Sequence, residues 1–381
     1  MQEAGFACHP KLEPNSKSMM KTKLTLFVTV LAFCFQQGYA QEKKKIKYRN
    51  SLGHSYAVEK SRDAGYTMDK VVEAVSSKVT TLNLRVGRPA KGRISDLTPV
   101  SKFVNLEVLD LYNNSITSVG PLGKLKKLKE LHLDNNYDLV DISALSNLHS
   151  LKYLNLNKTR VVDMKPLSAL KSIEHLSIGL TSVRDLSPLS GLTNMESLVM
   201  GRSPISDISA IAGMTKLTYL GFGYCGVKDL TPLKGLKNLS DLFLSHLPQL
   251  TDITPLGELQ SLEYLAVNAL GKVKDYAPLA KLAKLETLNI NSRFIESVEF
   301  AKHLKNLEVL FVTKGEIKNV APLKGLKKLR QLRLNQNRVT DITPLLEIKT
   351  LKELWLQGNP ISKEDIERLR KALPNCKISF E

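Results

Sequence analysis

Leucine recurs through this chain at an interval that barely drifts, and no other feature of the sequence constrains the fold so tightly. Units begin at Val79, Leu106, Leu128, Leu151, Ile173, Met195, Leu217, Leu239, Leu262, Leu285, Leu307, Leu329 and Leu351. Of the twelve gaps between these thirteen starts, eight are 22 residues, three are 23 and the first is 27. With each start numbered position 1, position 4 is leucine in every unit, and position 6 is apolar from Leu84 to Leu356. A fixed period of this length predicts an array in which each unit buries its apolar face on its neighbours.

Positions 4 and 6 carry the period of two that predicts a short strand with one buried face. Position 9 holds Asn114, Asn136, Thr159, Thr181, Ser203, Cys225, Asn337 and Asn359. Small polar side chains there are expected to bond backbone groups freed where each strand turns away, forming a ladder. Leu247, Leu270, Arg293 and Gly315 break that column, which predicts less constrained turns between about 245 and 316. Later in most units comes a proline, as at Pro99, Pro188, Pro232, Pro255 and Pro344, each preceded by Thr or Ser. A hydroxyl residue before proline is the expected start of a short helical turn.

The stretches Leu307–Leu326 (LEVLFVTKGEIKNVAPLKGL) and Leu329–Leu345 (LRQLRLNQNRVTDITPL) resemble the leucine-rich repeat family in its 22-residue class, and bacterial internalin-type proteins in particular. The resemblance covers Val79 to about Pro374. It implies an α/β solenoid: an arc with parallel strands on the concave face and short 3₁₀ turns on the convex face. It also implies a non-enzymatic protein that recognises a protein ligand through the concave face, in adhesion, host interaction or scaffolding.

An open solenoid needs a cap at each end. Within residues 67–78, Thr67–Ser76 (TMDKVVEAVS) predicts an amphipathic helix over the first strand, ahead of repeats spanning 79–361. In 362–381, Ser362-Lys363-Glu364-Asp365 predicts a capping box, with Ile366, Leu369 and Leu373 on one helix face. Pro374 stops that helix, and Cys376, Ile378 and Phe380 alternate as a last edge strand.

Residues 1–40 read as an amino-terminal extension and signal peptide, followed by a basic lead-in over 41–66. Lys21 and Lys23 precede the apolar stretch Leu24–Phe35, and Gly38 and Ala40 set a cut before Gln41. Phe33, just before Cys34, is too bulky for a lipid-attachment box. No run reaches the roughly 18 apolar residues of a membrane-spanning helix. The expectation is export, to the periplasm, cell surface or medium. Cytosolic leucine-rich regulators of phosphatases share such repeats but carry no export signal.

The chain has 55 basic and 37 acidic residues, a net +18. The concave-facing positions 3, 5, 7 and 8 nonetheless balance: Arg85, Lys158, Arg202, Lys314 and Arg333 against Asp110, Glu130, Asp134, Asp241 and Glu353. The excess lies on a flank at position 21, in Lys126, Lys171, Lys237, Lys305, Lys327 and Lys349, thickened by Lys281, Lys284, Lys302, Lys324 and Lys328. Either that flank is a solvated edge or it binds a polyanion such as acidic glycan, lipopolysaccharide or nucleic acid.

Catalytic signatures are weak. Gly221, Gly223 and Gly226 spell G-x-G-x-x-G, but Phe222 is the buried position 6 of a repeat, so no cofactor is expected. Cys225 and Cys376 lie too many units apart for a disulfide. Asp110, Glu130, His132 and Asp134 converge on the concave face as a weak metal candidate, short of a second histidine. The preferred ligand-binding residues are Val199, Tyr219, Tyr224, Phe243 and Tyr264 in one patch, and Phe311, Arg333 and Trp355 in a second. The register directs all eight away from the core, and rigid aromatics beside an arginine are what a protein-binding hot spot needs.

Overall fold

The computed structural model describes residues 77–87 and 92–380. The signal segment, the lead-in and the expected amino-terminal helix at Thr67–Ser76 lie outside the described residues. Within them, fourteen strands form one sheet in strict sequence order, from β1 (Thr81–Asn83) to β14 (Lys377–Ser379). Every pairing is parallel, and the register aligns the position-4 leucines, as in Leu82 with Leu109 and Leu332 with Leu354. Alternation along each strand sends these leucines, and the apolar residue two further on, into a continuous core. The predicted last strand is present as β14, with Ile378 opposite Leu354 on β13 (Glu353–Trp355).

Among the described residues twelve short 3₁₀ turns, from Thr98–Lys102 to Thr343–Glu347, carry the chain back behind the sheet. Proline stands in the first two positions of most of them, where its missing N–H leaves no bond unmade. The expected hydroxyl cap is corrected. No side chain caps from the residue before the turn, which is apolar and faces the core. Instead an aspartate one residue earlier accepts the N–H of the Ser or Thr: Asp96 from Thr98, Asp185 from Ser187, Asp229 from Thr231 and Asp341 from Thr343 at 2.8 Å, and Asp252 from Thr254 at 2.7 Å. Hydrogen bonds from that backbone N–H and hydroxyl hold these carboxyls below the usual aspartate range.

The position-9 ladder forms where its residues can bond. Asn136 Nδ2 donates to the Leu111 and Leu133 carbonyls at 3.1 and 2.8 Å, while its Oδ1 accepts the Ile116 N–H at 3.0 Å. Asn114, Asn337 and Asn359 repeat the arrangement. Thr159 and Thr181 each bond the carbonyl three residues back at 2.7 Å.

Where the column fails the strands lengthen: β8 (Asp241–Leu247), β9 (Tyr264–Leu270), β10 (Thr287–Asn291) and β11 (Val309–Thr313), together with β7 (Tyr219–Gly223) just before them, run five to seven residues against three elsewhere in the sheet. Leu247 and Leu270 are buried and paired in register, so backbone bonding and apolar packing replace the side-chain ladder.

At the carboxyl end, Ser362 Oγ accepts the Asp365 N–H at 3.1 Å and starts the helix α1 (Lys363–Ala372). Ile366, Leu369 and Leu373 are buried, closing the core as the sequence pattern predicts.

Candidate ligand-binding face

Position 5 forms a row across the open face of the sheet, with Val199 opposite Gly221, Gly221 opposite Phe243 and Phe243 opposite Ala266. Position 3 forms the next row, with Asp241 between Tyr219 and Tyr264. The rings meet diagonally across the two rows. Phe243 lies 5.3 Å from the Tyr219 centroid and stacks on Tyr264 at 4.5 Å. Phe243, Tyr264 and Val199 are half-buried, as a contact surface requires.

Tyr219 departs from the expectation, being only 7% exposed. The cause is Gly221, two residues along the same strand, where an added Cβ would sit 3.6 Å from the Tyr219 ring. With no side chain to prop it up, the ring lies down on the sheet and is covered by its neighbours. Tyr219 is therefore the floor of the patch rather than part of its contact surface. Asp241 is buried between the two tyrosines' strands, and burial pushes its carboxyl up against the Ser240 hydroxyl bond of 2.6 Å that pulls it down.

Tyr224 belongs to a different constellation. It occupies position 8, where the backbone is left-handed in most repeats, including Asn113, Asn135, Lys158, Leu180, Arg202, Tyr224 and His246. Successive units therefore present these residues as a column beyond the strand ends. Arg202 sits 3.9 Å above the Tyr224 ring, and the His246 ring stacks on its neighbour Tyr224 with centroids 3.9 Å apart. Tyr224 Oη and His246 Nε2 are 3.2 Å apart. Burial, then the Arg202 charge, lowers the His246 imidazole. His246 is a functional candidate that the sequence reading left out, and Arg202 one that it counted only in the charge balance. Their shared offset from the repeat start was the available signal.

The second predicted patch assembles as expected. Phe311, Arg333 and Trp355 are direct neighbours in the position-5 row of β11, β12 (Gln331–Arg333) and β13. The Arg333 guanidinium lies 4.5 Å from the Phe311 ring and 4.4 Å from the Trp355 ring. The two rings meet edge to face at 6.0 Å.

The side chains of the weak metal candidate engage one another and Arg85. His132 and Asp110 are in register, but Glu130 Oε1 takes His132 Nε2 at 2.7 Å and Arg85 Nε lies 3.7 Å from Asp110 Oδ2. Among the described residues no group of three or more His, Cys, Asp or Glu has metal-holding geometry. Glu130 is thus engaged by His132 and Asp110 by Arg85, while Asp110, Glu130 and Asp134 all act on the His132 charge. Burial pushes the Asp134 carboxyl up to about 6, against the pull of His132. Burial disfavours the His132 cation, but the Glu130 bond and the charges of Asp110, Glu130 and Asp134 outweigh it and raise its pKa.

The flank lysines have a structural task that their spacing concealed. Lys126 donates to the Asn147 carbonyl at 3.3 Å, Lys171 to Gly191 at 3.2 Å, Lys237 to Glu258 at 3.1 Å and Lys349 to Ala372 at 3.0 Å. Each acceptor lies at or beside the carboxyl end of the next unit's turn or of α1, where carbonyls lack helical partners. Lys305 and Lys327 remain exposed on the same flank. Cys225 and Cys376 are both free thiols, in keeping with their separation.

Residues 104–147 match the family model described as Leucine Rich repeats (2 copies). An internalin (inlF) of Listeria monocytogenes is 29% identical, with a TM-score of 0.67 over 74% of this chain and 84% of that one. A leucine-rich repeat protein of Leptospira interrogans is 24% identical, with a TM-score of 0.66 over 76% and 82% of the two chains. The plant peptide hormone receptor RGFR1, solved in complex with RGF2, is 18% identical, with a TM-score of 0.60 over 75% of this chain and 49% of the receptor. The chain is a leucine-rich repeat protein, and its solenoid is like that of the internalins.

Proposed function

We propose that the chain is an exported, non-enzymatic recognition protein whose open sheet face binds a protein ligand. The observation that carries this reading is the pair of aromatic constellations on that one face, Phe243 with Tyr264 and Phe311 with Trp355. Their rings are half-buried and held by one another, so they lose little freedom on binding, and neither contributes to the leucine core. The internalin likeness and the peptide complex formed by the plant receptor support a ligand of polypeptide chemistry. The apolar stretch and small residues before Gln41 support export.

Affinity capture from host and self extracts supplies the ligand, and alanine substitution then tests the surface. Alanine at Phe243, Tyr264 or Trp355 is expected to weaken binding by about 1–3 kcal/mol while leaving the fold intact. Tyr219 is unsuited to this test because its ring is buried. Polyanion binding through the lysine flank is the competing outcome. It predicts binding that falls steeply with salt and fails in a Lys305 and Lys327 double variant while surviving the aromatic substitutions.

A further inference from the structure

We propose that the stretch of sheet between the two aromatic patches is a trough that reads the main chain of an extended, uncharged peptide segment laid across the strands. This rests on the protein-binding reading of the sheet face and names what that face takes. Phe243 and Phe311 stand in one position-5 row, joined in register through Ala266 and Asn289. Three strand spacings separate them, roughly 14 Å at about 4.8 Å each. Both rings are fixed posts. Phe243 rests between Tyr219 and Tyr264, and Phe311 is braced by Arg333 and Trp355 from the strands beyond it. Between the posts the row falls away, because Ala266 ends at its Cβ and is only 4% exposed.

The trough is polar without charge. β10 presents Thr287, Asn289 and Asn291 to the open face, and β11 adds Thr313 opposite Asn291. All four are half-buried. Among the described residues none of them makes a side-chain hydrogen bond, and their polar atoms are open to solvent. The ladder asparagines, by contrast, bond the chain's own backbone. Glu263, Glu286 and Glu308 precede β9, β10 and β11 and lie outside the trough. A peptide lying along the position-5 row turns its side chains alternately to the sheet and to solvent, and its N–H and C=O groups sideways. On one side stands Thr287, and on the other stand Asn291 and Thr313. A primary amide carries donors and an acceptor together, so it matches the N–H and C=O that one extended residue presents on one edge. Sheet-facing side chains four residues apart are separated by about 13 Å, which fits the two posts. The residue midway lies over Ala266 and Asn289, where a small side chain leaves the main chain within bonding reach. The motif is therefore apolar-x-small-x-apolar, with each x facing solvent.

Isothermal titration of the full chain with acetyl-Leu-Ser-Ala-Ser-Leu-amide is expected to show saturable binding at about millimolar concentration. Acetyl-Leu-Ser-Ser-Leu-amide puts its two leucines on opposite faces and is expected to bind about fivefold more weakly or worse. The pentapeptide N-methylated at its three central residues keeps its side chains but loses those donors, and a loss of about fivefold or more is expected again. Asn289→Ala combined with Asn291→Ala should weaken the unmodified pentapeptide by about fivefold or more, with little change in melting temperature. If that double variant melts early, the two altered peptides against the parent chain decide the matter. No pentapeptide binding at about 10 mM overturns the trough, as does equal binding of either altered peptide or undiminished binding by a folded double variant. Binding of maltopentaose or chitopentaose that the double variant loses, with no peptide response, assigns the site to glycan and overturns the peptide reading. Failure of the wider reading looks different: the pentapeptide titration persists while capture of a protein ligand ignores Phe243, Tyr264 and Trp355.

Discussion

Leu247 and Leu270 lie opposite each other at the carboxyl ends of β8 and β9, in the column where Asn114, Asn136, Asn337 and Asn359 bond the backbone of other repeats. The Gly271 N–H donates to the Leu247 carbonyl at 2.9 Å, so the backbone itself closes the turn. Amide exchange across 241–247 and 264–270 is expected to be at least as slow as in the three-residue strands. Leu247→Ala should destabilise the protein by about 2–5 kcal/mol in denaturant melts. Fast exchange at Gly271 would falsify the lengthened-strand account.

Asn136 serves two carbonyls and one N–H from a fully buried position. Asn136→Ala strands the Leu133 carbonyl and the Ile116 N–H, while the Leu111 carbonyl keeps its bond from Asn114 Nδ2 at 3.0 Å, and a loss of about 2–4 kcal/mol is expected. Chemical denaturation checks it; a change under about 0.5 kcal/mol would show that the ladder is decorative.

Asp134 is predicted to oppose folding at neutral pH. Its folded pKa of about 6 exceeds the ordinary value of 3.8, so the folded chain binds its proton more tightly. Its contribution to stability is present below about pH 4 and is lost as pH rises through about 6. Asp134→Asn is therefore expected to raise the melting temperature at pH 7 to 8, with the advantage shrinking towards pH 4. A variant less stable than the parent at pH 8 would contradict this.

The turn aspartates work in the opposite direction. Bonds from Thr98, Ser187, Thr231, Thr254 and Thr343 hold Asp96, Asp185, Asp229, Asp252 and Asp341 below 3.8. Stability that these carboxylates supply above pH 3.8 should disappear as pH falls through their lower folded values. In a scan from pH 5 to pH 2, Asp252→Asn should start less stable than the parent and converge with it at the acid end.

Export carries its own check. Mass spectrometry of protein recovered outside the cytoplasm is expected to find Gln41 at the amino terminus. An intact Met20–Ala40 segment would remove the basis for the export proposal.

The strands, the core leucines and the carboxyl cap were legible because burial enforces the period: a leucine displaced from position 4 has nowhere else to pack. Trp355, Arg333 and Phe311 were legible for the same reason, since register brings equal positions side by side. Tyr219 was misread because its fate depends on Gly221, whose effect on a neighbouring ring is tertiary rather than periodic. His246 was missed, and Arg202 entered only the charge balance, because their stacking on Tyr224 follows from left-handed backbone at position 8, a conformation that the identities Arg and His do not announce. The aspartate before five of the turns stands in the sequence as Asp-x-Thr-Pro or Asp-x-Ser-Pro, at Asp96, Asp185, Asp229, Asp252 and Asp341.

Strict sequence order in the sheet has a mechanical meaning. Among the described residues each strand bonds only to the strands before and after it in sequence, so the sheet does not tie distant repeats together. Pulled from its two ends, such a chain need not rupture all at once. It can peel from an end, each released repeat paying out about 70 Å of chain, the extended length of 22 residues less one strand spacing. For a protein held at a surface while bound to something larger, that staged yielding turns a solenoid into a spring that lengthens before it lets go.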